Sequence, residues 1–302
     1  MAGELAAQLA QGEERRVVSW RFTRWGRFLR EPSAVFGSAI LAVLIVAALA
    51  APVLAPHDPG KTNLKLRNVP PAWEAKGSTD YLLGTDPVGR DLLSRIIYGG
   101  RVSLFVGIVV TVLAAVLGVL IGLVAGYYGG AIDEILMRIA DLFLVFPFIL
   151  LAVTIIAVLG AGLRNLIITL VITGWVQYAR LVRGQVLTLK GVQYVEAARV
   201  AGAVDSRIIG RHILPNLLAS VVVLGTLQMA FVLLTEAALS FLGLGVNPST
   251  PTWGTMINDG RNYIYNAWWV ITFPGIAILL TVLAINMLGD WLRDVLDPTL
   301  RT

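Results

Sequence analysis

The side chains able to do chemistry are few and far apart. The chain has no cysteine and two histidines, His57 and His212. That removes thiol nucleophiles, disulfides and thiolate metal sites, and it leaves two imidazoles too distant in sequence to suggest a metal cluster. Gly60-Lys61-Thr62 spells the end of a phosphate-binding loop, but the glycine needed five residues earlier is Ala55 and Pro59 stands just before it. A nucleotide loop must leave a buried strand and open a helix, and this segment does neither. Gly243-Leu244-Gly245 lacks the third glycine and the strand of a dinucleotide fingerprint, so it reads as chain leaving a helix. No metal, ATP or NAD is expected on this chain itself. Facing carboxylates, a His-rich helix and a nucleophile elbow are absent from the apolar stretches, so no catalytic residue is expected and the chain is not read as an enzyme. Asp141 and Glu236 sit nearest the apolar runs, and both are expected at span ends as interfacial or helix-terminal groups.

The elements that must position these residues are written in the composition. Of 302 residues, 57% are hydrophobic and 14% charged, and the mean hydropathy of +0.76 lies far above that of a soluble domain. An all-α membrane protein of six transmembrane helices is therefore expected. A spanning helix needs about 20 apolar residues. Runs of that scale extend from Ser33 to Pro56, from Val102 to Tyr128, from about Leu142 to Leu163, from Ile213 to Thr235 and from Trp268 to Leu288. A shorter fourth span is placed between Arg164 and Arg180, whose arginines would snorkel to opposite interfaces. The resulting division is an N-terminal arm over 1–32, a first helix and external loop over 33–100, a permease core over 101–293 and a tail over 294–302.

Six spans place both termini on one side. The arm carries Arg15, Arg16, Arg21, Arg24, Arg27 and Arg30, and the loop after span four carries Arg183, Lys190, Arg199, Arg207 and Arg211. The positive-inside rule puts that side in the cytoplasm. The net charge of +5 is thus topology information and contact with anionic membrane lipids, with no basic stripe and stacking aromatics that would bind nucleic acid. Trp20 to Arg30 interleaves arginines with Trp20, Phe22, Trp25 and Phe28, a pattern suited to a helix lying in the headgroup layer. The Pro-, Lys- and Asn-rich stretch from Pro52 to Pro71 is expected to be a loop, ordered or flexible, and no separate domain. In span two, Gly118, Gly122 and Gly126 put a small residue at every fourth position, a stripe where another helix can approach closely.

The segment from Lys190 to Asn216, KGVQYVEAARVAGAVDSRIIGRHILPN, has a different character. Ala197, Ala198 and Ala201 favour a short helix that Gly202 breaks, Asp205 can cap a second, and Pro215 constrains the start of span five. Two short helices with a tight bend would project as a rigid knob, with small alanines for close approach and Glu196 offering a carboxylate. Glu196-Ala197-Ala198, Gly202 and Leu214-Pro215 resemble the EAA loop of bacterial ABC importer permeases. The general pattern has isoleucine two positions before the leucine, where this chain has His212, and the His-Ile-Leu-Pro-Asn form resembles the dipeptide, oligopeptide and nickel subfamily. Three further stretches resemble the same subfamily: Leu83-Gly84-Thr85-Asp86 with Gly89-Arg90-Asp91 and Ser94-Arg95, then Glu236 to Gly245, then Asn286 to Asp294 with Leu296-Asp297-Pro298.

The resemblance implies a type I ABC importer permease fold whose EAA loop docks on a separate ATPase, with ATP and magnesium held there. It further implies the C-type member of a pair, working with a B-type second permease, two ATPase subunits and an extracytoplasmic substrate-binding protein in the cytoplasmic membrane. Peptides are the expected cargo. Nickel, glutathione, murein peptides and oligosaccharides are carried by the same kind of machinery, and a self-sufficient channel or carrier is the alternative from another class. No substrate-binding residue is legible in the spans.

Overall fold

The computed structural model describes Phe28 and residues 31–247 and 249–296. The arm from Trp20 to Arg30, Phe28 excepted, and the end of the tail lie outside them. Among the described residues the chain is helical throughout, and pairing between strands is limited to one isolated bridge between Thr85 and Asp91. The helices are α1 (Pro32–Leu49), α2 (Ala51–Leu54), α3 (Leu92–Tyr128), α4 (Gly130–Val145), α5 (Phe148–Leu159), α6 (Leu163–Leu189), α7 (Gln193–Val200), α8 (Asp205–Ile208), α9 (Leu214–Phe241), α10 (Trp253–Gly260) and α11 (Trp269–Leu296). Five stretches are long and apolar enough to cross a membrane: α1, α3, α6, the run from Asp205 to Phe241, and α11. The pair α4 and α5, bent by 94° at its break, passes the same test when taken together and makes a sixth if it counts as one broken span. Large apolar side chains such as Val43, Leu49, Leu120 and Leu279 are exposed on the outside of the bundle, where hydrocarbon replaces water as solvent.

The local sequence explains where each helix begins. Pro32 opens α1 at a position where its missing N–H costs nothing. The Asp91 carboxylate accepts the Ser94 N–H at 3.0 Å and caps α3. Thr252 and Thr255 form a reciprocal capping box that starts α10. At the other end of α3, Gly129 and Gly130 both have positive φ, 67° and 57°, and together they reverse the chain into α4.

The pairing of α3 with α6 forms the centre of the bundle. A Cβ on Gly118 would lie 2.5 Å from the Trp175 carbonyl oxygen, one on Gly122 2.6 Å from that of Ala179, and one on Gly126 2.8 Å from Val186 Cβ. Only glycine permits this approach, and the close contact supplies the dispersion energy that joins helices in lipid. α1 packs along α11, with Gly37 against Ala284 and Met287, so the described chain starts and finishes at the same end of the bundle.

Two expectations need correction. The third span does not run from about Leu142 to Leu163; it is assembled from α4 and α5, with its break at Phe146 and Pro147. Asp133, Glu134, Arg138 and Asp141 precede the expected start of that span, but Asp133, largely buried, and Asp141, half exposed, pair with arginines of α6. The fourth span is also longer than the stretch between Arg164 and Arg180, reaching Leu189, so Arg180 and Arg183 lie inside α6 and meet those aspartates instead of snorkelling from its ends.

Candidate functional site

The segment between α6 and α9 folds as a knob at one end of the bundle. α7 ends in a Schellman motif, with the Gly202 N–H donating to the Arg199 carbonyl at 3.0 Å and the Ala203 N–H to the Ala198 carbonyl at 3.0 Å. Gly202 takes φ +80°, which an ordinary side chain resists, and nothing lies within 4 Å of where its Cβ would be. α8 follows and passes through one π turn, Ile209–Ile213, into α9, where Leu214 and Pro215 open the helix. Four apolar residues root the knob: Val195, Ile208, Ile213 and Leu217 are buried with Tyr178, Val182 and Val186 of α6.

Its outer surface contrasts with this root. Glu196, Ala197, Ala201 and Gly202 are exposed, and Val200 is 90% exposed beside an exposed Val204. Glu196, Arg199, Asp205 and Arg207 surround this small apolar tip. A rigid, apolar tip with a charged rim has the composition of a protein-docking surface and carries no group positioned for covalent chemistry. Among the described residues, no cluster of three or more His, Asp or Glu side chains could hold a metal ion.

Polar ties join the knob to the spans. The Tyr127 hydroxyl, at the end of α3, donates to Asp205 Oδ1 at 2.6 Å, and Lys190 Nζ donates to the Gly126 carbonyl at 3.1 Å. Between the spans themselves, Arg183 of α6 binds Asp133 of α4 through two parallel hydrogen bonds of 2.5 and 2.6 Å, and Arg180 pairs with Asp141 two turns further along the same face. The knob is therefore coupled directly to α3 through Tyr127–Asp205 and to α6 and α9 through the chain itself, while α6 is in turn tied to α4. Sequence reasoning missed these ties. Asp133 and Asp141 stand eight residues apart and so share a face of α4, which was a readable signal; nothing local connects Tyr127 to Asp205.

The opposite end holds a second polar assembly. Arg90 bonds both Asp86 (2.5 Å) and Asp259 (2.8 Å), and Arg95, 1% exposed, reaches the same two carboxylates at 3.6 and 3.2 Å. This cluster ties the loop before α3 to α10, and Trp269 Nε1 donates to the Thr85 carbonyl beside it. Arg90 and Arg95 had stood out as part of a stretch resembling the permease subfamily, with no partner indicated, and Asp259 carried no signal because its partners are more than 160 residues away. Glu236, five residues from the end of α9, is 1% exposed and accepts hydrogen bonds from Ser103 Oγ (3.1 Å) and Ser240 Oγ (2.8 Å).

Among the described residues, five membrane-crossing helices, or six with the bent pair α4 and α5 taken as one span, and a projecting helical knob make up an architecture suited to a membrane transport subunit. Comparison with known proteins sharpens that class. Residues 118–302 match the family described as binding-protein-dependent transport system inner membrane component, and 20–71 match the N-terminal TM domain of oligopeptide transport permease C. The chain belongs to this family of ABC importer permeases. It is 44% identical over 277 residues to the di/tripeptide transport system permease protein DppC of Pseudomonas aeruginosa, covering 92% of this chain and 91% of that one. It is 46% identical to the dipeptide transport system permease protein DppC of Escherichia coli K12, covering 92% of each. In fold it is similar to a chain of the inward-facing MetNI methionine ABC transporter, with a TM-score of 0.56 and 21% identity over 68% of this chain and 98% of that one.

Proposed function

We propose that this permease carries short peptides across the cytoplasmic membrane, energised by ATPase subunits that dock on the knob formed by Glu196, Ala197, Ala198 and Gly202 above the Leu214-Pro215 root. The observation that carries the cargo reading is the likeness, over more than nine-tenths of both chains, to permeases named for dipeptides and di/tripeptides. For the energy source, support comes from the knob itself, which presents an exposed apolar tip and is tied to α3 by the Tyr127–Asp205 hydrogen bond. ATP and magnesium belong to the partners in this reading. A second permease of the B type completes the pathway, and an extracytoplasmic binding protein delivers cargo to the end that holds the Arg90–Asp259 cluster.

The test is growth of a deletion strain on di- to pentapeptides as sole source of a required amino acid, with urease or hydrogenase activity in low nickel measured alongside. Loss of peptide growth with nickel enzymes intact is expected. Unimpaired peptide growth with nickel enzymes lost would reverse the cargo, and loss of neither would move it to an oligosaccharide.

A further inference from the structure

Along their contact, α3 and α6 show different chemistry to the outside at one and the same height. Gly118 sits against Trp175 and Gly122 against Ala179, so Leu120 of α3 and Gln177 of α6 stand level with each other. Each lies two residues from the contact, about 200° round its own helix, so the helix pair presents them to opposite sides. Leu120 is eight residues from the end of α3 at Tyr128, roughly 12 Å, which places this level within hydrocarbon. On the α3 side the exposed groups suit that solvent: Val116, Leu120 and Val124. On the α6 side they do not. Gln177 is exposed, and three residues on Arg180 is 49% exposed and paired with Asp141 of α4, itself 47% exposed.

Hydrocarbon against that side would strand a guanidinium, a carboxylate and a carboxamide. Holding α4 to α6 does not require the exposure, because the neighbouring Arg183–Asp133 pair already joins them with its carboxylate only 15% exposed. A dry contact with another protein would have to match two charges already satisfied by each other, whereas water and a polar cargo need not. Space for both is present. A cleft of about 400 Å³ lies against Met137, Asp141, Arg180 and Arg183, and Gln177 borders a cavity of about 440 Å³ further along the same helix, at the break between α4 and α5. Ionisable groups within spans that face such space mark the way a substrate passes.

We propose that the α4–α6 face bearing Met137, Asp141, Gln177 and Arg180 is this chain's wetted wall of the cargo route, and that the α3 face bearing Leu120 is left to lipid. The paired charges suit a cargo with charged ends, each of which finds an opposite charge on the way. The inference rests on the peptide-transport reading above and goes beyond it by naming the wall.

The chain has no cysteine, so single substitutions report cleanly. Gln177→Cys, Met137→Cys, Leu120→Cys and, as the aqueous reference, Ala201→Cys are each assembled into the transporter in lipid nanodiscs, where both membrane faces meet solvent. A charged thiol reagent attacks the thiolate, which forms in water and hardly at all in hydrocarbon. Positions 177 and 137 should react within about tenfold of position 201, and position 120 at least about a hundredfold more slowly. In proteoliposomes supplied with the binding protein, labelling at position 177 should abolish trialanine uptake while ATP hydrolysis continues. Should Gln177→Cys fail to reach the membrane, Met137→Cys decides both measurements. Rates at 177 and 137 as slow as at 120 would mean a dry face and overturn the wall. Complete labelling with uptake untouched would also overturn it, since the face would then border a crevice beside the route. Vesicles inert toward trialanine before any labelling would overturn the peptide reading alone, and the labelling rates would still decide whether this face is wet.

Discussion

At Gly202 the obstacle to a side chain is conformational and not steric, since its φ is +80° and the space around it is open. Placing an ordinary side chain in that region costs roughly 1–2 kcal/mol, whereas asparagine visits it readily. Gly202→Val should therefore distort the turn between α7 and α8, weaken ATPase co-purification and lower uptake, while Gly202→Asn should stay near wild type at equal membrane abundance. If the two variants behaved alike, the backbone argument would fail.

Among the elements, α3 and α6 depend on three glycines, and one control separates fit from mere size. Gly122→Ala drives a methyl group to within 2.6 Å of the Ala179 carbonyl, whereas on the same pair Gly174→Ala meets only Ala114 Cβ at 3.5 Å. Overpacking of the first kind costs about 1–3 kcal/mol. The expected result is reduced membrane abundance and raised protease sensitivity for Gly122→Ala, with Gly174→Ala unchanged. This stripe was legible in the sequence because its period of four coincides with one face of a helix. The first two spans and the knob were also legible, the former from uninterrupted apolar runs and the latter from Gly202 and its alanines. The third span was not, because the charges of α4 precede its apolar run, and Arg180 and Arg183, which neutralise Asp141 and Asp133, stand some forty to fifty residues on.

For the whole molecule, the shared end of Pro32 and Leu296 makes orientation a single binary question, and we propose from the distribution of arginines that this end faces the cytoplasm. With no native cysteine, Ala201→Cys on the knob and Lys76→Cys on the opposite loop are clean reporters. An impermeant thiol reagent added to intact cells should label position 76 and spare position 201; the reverse pattern would invert the molecule. The loop from 56 to 91 adds something that orientation alone does not. Asn63 N–H donates to the Val88 carbonyl, Thr85 N–H to Val69, and Arg90 and Arg95 fasten the loop's end to Asp259 of α10. A partner landing on this face meets a surface whose shape was settled when the chain folded. Little conformational freedom is then left to be lost on contact, so encounters there can be brief and frequent and still be specific, as repeated delivery of cargo requires.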